Sequence, residues 1–286
     1  MAIARDGTGM GTTARALWSQ VHPVFMTPPL AASLFGAILA GTVAPLLAAV
    51  HVVAMFAAVY TAHVKDGYVD FYVRGEDDEH PLTERGCQLA LGLSTATVAL
   101  CCIALAVLVD AVAVALVAPT WVIAYHHAPQ LDTNPVTATT GYPLGIALSL
   151  LGGYYVQATT ISPVALAFAV VFLVLLSGIK VIDDAQDYAY DRSIQKRTVA
   201  VAVGPDRAYD VAYGLMAVAL VAVIGLAIGR LFPVTALLAA LAFAAVAVIA
   251  RRAGPELATM LLIRGSYVFL AVLVAAVQFE PLAGFV

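Results

Sequence analysis

The sequence predicts an all-α polytopic membrane protein with nine transmembrane helices around a central cavity. Composition and run length carry that prediction. Of 286 residues, 62% are hydrophobic and only 11% are charged, whereas a soluble domain is about one-quarter charged. The apolar residues fall in long runs that recur along the chain rather than in one anchor, and such runs read as membrane spans. The net charge of −4 is confined to a few loops, and no basic patch points to nucleic acid.

Residues 1–23 read as a polar N-terminal tail. The stretch "MAIARDGTGMGTTARALWSQ" lacks the charged, apolar and small-residue order of a signal peptide. Its "GTGMGTT" has no Lys for a phosphate-binding loop and no strand before it, so it reads as flexible. Residues 24–286 read as a single transmembrane domain with spans at 26–41, 44–64, 89–109, 111–125, 142–157, 164–182, 209–228, 232–250 and 257–277. Prolines 28, 29, 129, 135, 143, 163, 205, 233 and 255 are read as breakers between spans. Cys87, Cys101 and Cys102 have no metal-ligand spacing and read as small buried hydrophobes.

Basic residues orient the spans. Of fourteen Lys and Arg, eleven fall on one side: Arg5, Arg15, Lys65, Arg74, Arg85, Arg192, Lys196, Arg197, Arg207, Arg251 and Arg252. The positive-inside rule then puts the N-terminus and the loops after even-numbered spans in the cytoplasm, and the C-terminus outside.

Two acidic stretches close the second and sixth spans, "HVKDGYVDFYVRGEDDEHPLTERG" and "KVIDDAQDYAYDRSIQKRTVAVAVG". Asp66 and Asp70 are four apart, as are Asp183, Asp187 and Asp191. On helices continued from the spans, each set lines one face, where unanswered like charges are destabilising. A solvated acidic loop explains "EDDEH" (76–80) but needs no helical period. Carboxylates from two helices facing a shared cavity suit Mg²⁺ bound with a phosphate substrate, since that ion takes one or two carboxylates, keeps waters and bridges phosphate oxygens. Lys180, Arg192, Lys196 and Arg197 stand close by in sequence, and Arg264 lies within the last span. A cation within a span usually faces a polar cavity, with snorkelling to the nearer surface as the alternative for Arg264. The expected ligand is an amphiphile with a diphosphate head and a hydrocarbon tail.

At these residues the chain resembles the UbiA superfamily of intramembrane prenyltransferases, which has nine transmembrane helices and two Asp-rich motifs. Asp183, Asp187 and Asp191 match the second motif, D-x-x-x-D-x-x-x-D, in full, and "KRT" with "VAVAVG" follows in family style. The first motif, N-D-x-x-D-x-x-x-D, is matched outright only at Asp70: Asp66 stands for Asn, Gly67 for the first Asp and Arg74 for the last. "HPLTERG" resembles the family's R-P-L stretch, with His80 in place of Arg.

The resemblance implies a Mg²⁺-dependent prenyltransferase in the cytoplasmic membrane, with an isoprenoid diphosphate and membrane lipid as partners. Mg²⁺ and basic groups would stabilise the departing diphosphate, and aromatic faces the allylic cation. Metal ligands are then expected at Asp66, Asp70, Asp183, Asp184 and Asp187. Asp70, Asp187, Lys196 and Arg197 form the expected catalytic group. Lys180, Asp191, Arg192, Arg264, Tyr68 and Tyr188 are expected substrate contacts. Phe71, Tyr72, Tyr190 and Tyr267 are further aromatic candidates, although Tyr at that depth is more commonly an interfacial anchor. The runner-up is a UbiA-type terpene cyclase that needs no acceptor. A non-catalytic diphosphate-binding relative is a third reading, and a cation-coupled transporter would place its carboxylates near mid-membrane on broken helices. No Lys or Arg lies between Arg15 and Lys65, and none in "YHHAPQLDTNPVTATTGYPL". A buried carboxylate there would lack a cation, so a neutral acceptor, or none, is expected.

Overall fold

The computed structural model describes residues 2–279, with Pro255 known by its backbone alone. The helices run in order α1 (Met10–Trp18), α2 (Pro23–Leu39), α3 (Pro45–Tyr68), α4 (Glu84–Leu108), α5 (Ala111–His126), α6 (Pro135–Ala158), α7 (Pro163–Gln186), α8 (Tyr188–Ser193), α9 (Val199–Val203), α10 (Pro205–Ile228), α11 (Ala236–Ala250) and α12 (Pro255–Phe279). Among the described residues there is no strand, only one isolated bridge between Ala4 and Leu82. The expected outward C-terminal end at 280–286 lies outside the described residues.

The nine expected spans fall in order on α2–α7 and α10–α12. Among the described residues, α3, α4, α7, α10 and α12 are long and apolar enough to cross a membrane. α5 and α11 are shorter apolar helices of 16 and 15 residues, and α2 meets α1 at a 71° bend that together could make a sixth span.

Several prolines start helices, Pro135, Pro163 and Pro205 among those read as breakers. Pro23, Pro45, Pro135, Pro163 and Pro205 occupy the first turns of α2, α3, α6, α7 and α10. The missing N–H is one the first turn leaves unpaired anyway. Thr83, Asp110, Asn134 and Ser162 cap α4, α5, α6 and α7 by accepting from backbone N–H groups. Pro28 and Pro29 lie inside α2, and Pro143 inside α6. Helix ends also overrun the apolar runs: α3 passes through Lys65 and Asp66, and α7 through Asp183 and Asp184. Backbone hydrogen bonding does not stop where side chains become charged.

The helices form a ring in which α2 packs on α6, α6 on α7, α7 on α10, α10 on α11 and α11 on α12; α12 touches α2 and closes it. α3, α4 and α5 pack together beside α2 and α6. Small residues set the closest approach. A Cβ on Gly153 would lie 2.0 Å from the Ser33 carbonyl oxygen, and one on Gly36 2.0 Å from that of Leu150. Backbone cannot yield there as a side-chain tip can, and membrane helices rely on such small-residue contacts. Gly153→Val is therefore expected to abolish the monodisperse folded peak of the detergent-solubilised protein in size-exclusion chromatography. Gly214→Val, where a Cβ meets nothing within 4 Å, should preserve it.

The N-terminal residues differ from the expected flexible tail. Ala4 is buried, Arg5 N–H donates to Pro81 O (3.0 Å), and Thr83 N–H donates to Ile3 O (2.9 Å). The Arg5 guanidinium lies 4.4 Å from the Phe71 ring centroid. The start of the chain thus holds the loop after α3 on its outer side.

Candidate active site

A cavity of about 740 Å³ is bordered by α2, α3, α5, α6, α7 and α12. Val59, Ala62, His63, Asp66 and Asp70 reach it from α3 and its continuation, at the three- and four-residue steps that share a helix face. Its inner wall is apolar, with Met55, Ile123, Ile146 and Leu176. Its mouth carries Asp66, Asp70, Arg74, Glu76, Asp132, Lys180, Asp183 and Lys196. Met55 and Asp66 are separated by about 16 Å along a helix rising ~1.5 Å per residue. The chamber is thus apolar inside and ionic at one end.

The first acidic cluster is built by a change of helical pitch. After Tyr68 the chain winds as a π-helix over Val69–Arg74 before Gly75 ends it with φ +67°. The Arg74 guanidinium holds Asp70 Oδ1 at 3.2 Å, Glu76 Oε1 at 3.6 Å and Asp132 Oδ2 at 3.3 Å. Glu76 was expected in a solvated loop, but its side chain is only 8% exposed, and Oε2 accepts from the Tyr190 hydroxyl. His80 is buried as well. Asp77, Asp78 and Glu79 are exposed, as a solvated loop requires. Burial, and then the bond to Glu76, raise the Tyr190 pKa above its ordinary value.

The second cluster does not keep its aspartates on one helical face. α7 ends at Gln186, Asp187 sits at the break, and α8 begins at Tyr188. Lys180 Nζ binds Asp183 Oδ2 at 2.9 Å and Asp184 Oδ1 at 2.6 Å. Asp183 faces the cavity, Asp184 is buried and Asp187 is exposed. Asp191 is buried, its carboxylate 3.4 Å from Lys196 Nζ. Burial raises its pKa, with Lys196 opposing. The break between α7 and α8 rotates the last Asp inward, which four-residue spacing alone could not reveal.

Lys180 and Lys196 line the mouth. Arg192 and Arg197 are exposed; Arg192 donates to the Tyr188 hydroxyl (3.3 Å), and the Arg197 backbone N–H donates to Asp132 O (2.8 Å). Tyr188 packs against the core beneath α7. Of the expected substrate contacts Lys180 lines the cavity, and Asp191, Arg192, Tyr188, Tyr68 and Arg264 do not. Tyr68 donates to Glu84 Oε1 (3.3 Å), with Lys65 over its ring. Arg264 is exposed while its neighbours Ile263, Ser266 and Tyr267 face inward; a long cationic side chain reaches water more cheaply than it crosses a packed helix.

Among the described residues, no group of three or more His, Cys, Asp or Glu is gathered around one point as a metal cage. Mg²⁺ does not need one, since it binds through one or two carboxylates with waters and phosphate. The second cluster fits such an ion: Asp183 is open to the cavity, and the buried Asp184 Oδ2 and Asp191 Oδ2 lack hydrogen-bond partners. Around Asp70 the fit is poorer, because a guanidinium already lies among the carboxylates.

Some lining residues stand outside the expected site. Asp132 is a single acid in a polar loop, yet it meets Arg74 from across the mouth. His63 stacks on His22, ring centroids 4.7 Å apart, and both line the cavity with His127. Tyr142 also lines it, donating to Phe25 O (2.8 Å). Each belongs to a different helix or loop, so only the folded chain brings them together.

The arrangement of helices around an apolar chamber with an ionic mouth defines an all-helical fold. Solved structures share that fold. A digeranylgeranylglyceryl phosphate synthase structure superposes with TM-score 0.73 at 13% identity, covering 94% of this chain and 100% of the other. A UbiA homologue from Archaeoglobus fulgidus bound to GPP and Mg²⁺ gives 0.67 at 14% identity, covering 93% and 99%. The apo UbiA homologue from Aeropyrum pernix K1 gives 0.67 at 13%, covering 90% and 98%. The chain therefore has the UbiA fold. No protein-family model and no curated protein matches it by sequence.

Proposed function

We propose that this chain is an intramembrane prenyltransferase that ionises an isoprenoid diphosphate and transfers the prenyl group to a neutral, lipid-like acceptor. The observation that carries this reading is the cavity itself, with an apolar interior beneath a mouth of paired acids and bases. GPP and Mg²⁺ bound to the Archaeoglobus fulgidus homologue of the same fold support it.

In this reading the apolar wall holds the hydrocarbon tail and excludes water from the allylic carbon. Lys180 and Lys196 place positive charge where the diphosphate leaves. Mg²⁺, held at the second cluster by Asp183, would supply further neutralisation of the charge developing on that group. The C–O bond to diphosphate breaks with its electron pair on the leaving oxygen. The acceptor's nucleophilic atom bonds to the allylic carbon, and its proton is released. Every Lys and Arg on the cavity wall lies at the mouth and is paired with acids. Among the described residues, the interior offers no Lys or Arg to an acceptor carboxylate.

The deciding experiment incubates purified protein, Mg²⁺ and geranylgeranyl diphosphate with a neutral lipid alcohol, with 4-hydroxybenzoate, and alone. Prenylation of the neutral acceptor with diphosphate release is expected. Efficient prenylation of the acid would overturn the acceptor class, and a cyclic hydrocarbon from the third tube would establish cyclisation instead. We further propose that both clusters face the cytoplasm. Single cysteines at Glu79 and Ser193, both exposed, should label from the same side of sealed vesicles in a Cys-free background. Labelling from opposite sides would refute that orientation.

A further inference from the structure

We propose that Arg74 is a built-in cation at the first acidic cluster, standing where a metal ion would otherwise be held, so that substrate binds with a metal at the second cluster only. This rests on the prenyl diphosphate reading above and concerns the cofactor requirement of the same site.

Three carboxylates from different parts of the chain converge on one guanidinium. Asp70 lies on the π-helical turn, Glu76 follows it, and Asp132 comes from the loop before α6. Each engages a different nitrogen: Asp70 at NH1 (3.2 Å), Asp132 at NH2 (3.3 Å) and Glu76 at Nε (3.6 Å). Oxygen atoms converging on a central positive charge are what a hard cation also requires. Arginine meets that need with a charge that never titrates and a rigid fork of donors. Its side chain is 18% exposed and lines the cavity mouth, so it is both screened from bulk water and open to a bound anion.

A second, independent feature agrees. Gly67, one position after Asp66, carries no ligand, and a Cβ there would lie 2.8 Å from His80 Nε2. His80 is held by Leu82, its Nδ1 3.0 Å from the Leu82 carbonyl and 3.2 Å from the Leu82 N–H nitrogen. The imidazole occupies the space into which a longer side chain at 67 would project. The first cluster has thus lost a place for one ligand and gained a fixed cation. Glu76 Oε1 makes no hydrogen bond and answers to the guanidinium at 3.6 Å, whereas at the second cluster Asp184 Oδ2 and Asp191 Oδ2 have no hydrogen-bond partner and no guanidinium lies among them.

The test counts metal ions directly. Full-length protein in detergent is titrated with Mn²⁺ in the presence of geranyl S-thiolodiphosphate, a slowly ionising analogue, and free Mn²⁺ is read by electron paramagnetic resonance. One Mn²⁺ per chain is expected for the native sequence. Arg74→Gln and Arg74→Asp should each raise the count to two while weakening analogue binding at low Mn²⁺ by about tenfold. Two Mn²⁺ per native chain with the analogue bound would overturn this inference and leave the functional reading standing. No binding of the analogue at any Mn²⁺ concentration would overturn both. Because the native count is decisive alone, the conclusion does not depend on either variant folding.

Discussion

Asp183→Asn is expected to lower prenyl diphosphate turnover by roughly 10²–10³-fold, the loss typical of removing one preorganised electrostatic partner of a developing anion. Asp183 is the second-cluster carboxylate that faces the cavity, and an amide of the same shape cannot offset a divalent cation. The fold should survive, because Lys180 keeps its 2.6 Å contact with Asp184. The measurement is initial rate of diphosphate release, with thermal melting in detergent as the control. Asp78→Asn, on the exposed part of the loop, should stay within a few-fold of the native rate. Equal losses at both positions would defeat the assignment of the second cluster.

Lys180→Met should cost stability rather than chemistry alone. The Asp184 side chain is 2% exposed and Lys180 lies 2.6 Å from it. Removing the ammonium leaves a buried carboxylate without its counter-charge, a change that typically costs about 3–5 kcal/mol. The thermal midpoint in detergent should fall by several degrees. Pairing the change with Asp184→Leu should recover most of the loss, since replacing both partners removes the unpaired charge. An unchanged midpoint for Lys180→Met would show that Lys180 and Asp184 are not a structural pair, and failure of the double variant to recover would point to packing instead.

Much of this architecture was legible in the order of residues. Apolar run length located the helices in order, and the acidic stretches after residues 64 and 182 marked the ionic end of the chamber. The resemblance to the UbiA superfamily agrees with the fold of the solved homologues. Helix limits were less legible, because Lys65, Asp66, Asp183 and Asp184 remain helical once neighbouring turns supply the backbone partners. Residue type announces a break, and the structure adds that Pro135 and Pro163 stand where the next helix begins and no N–H is needed.

What the sequence determined by itself was solvent preference: which segments avoid water, and where charge gathers at their ends. Those properties belong to each segment alone. The tertiary structure decided which charges meet. Asp132 reaches Arg74 across 58 residues of chain, and Glu76 meets Tyr190 across 114. Asp183 lines the cavity and Asp191 does not, the helix breaking at Asp187 between them. Arg74 reads in sequence as a reversed charge in a weakened motif. In the folded chain it is the point on which three carboxylates converge, because Coulomb attraction acts over a few ångströms of space and takes no account of distance along the chain.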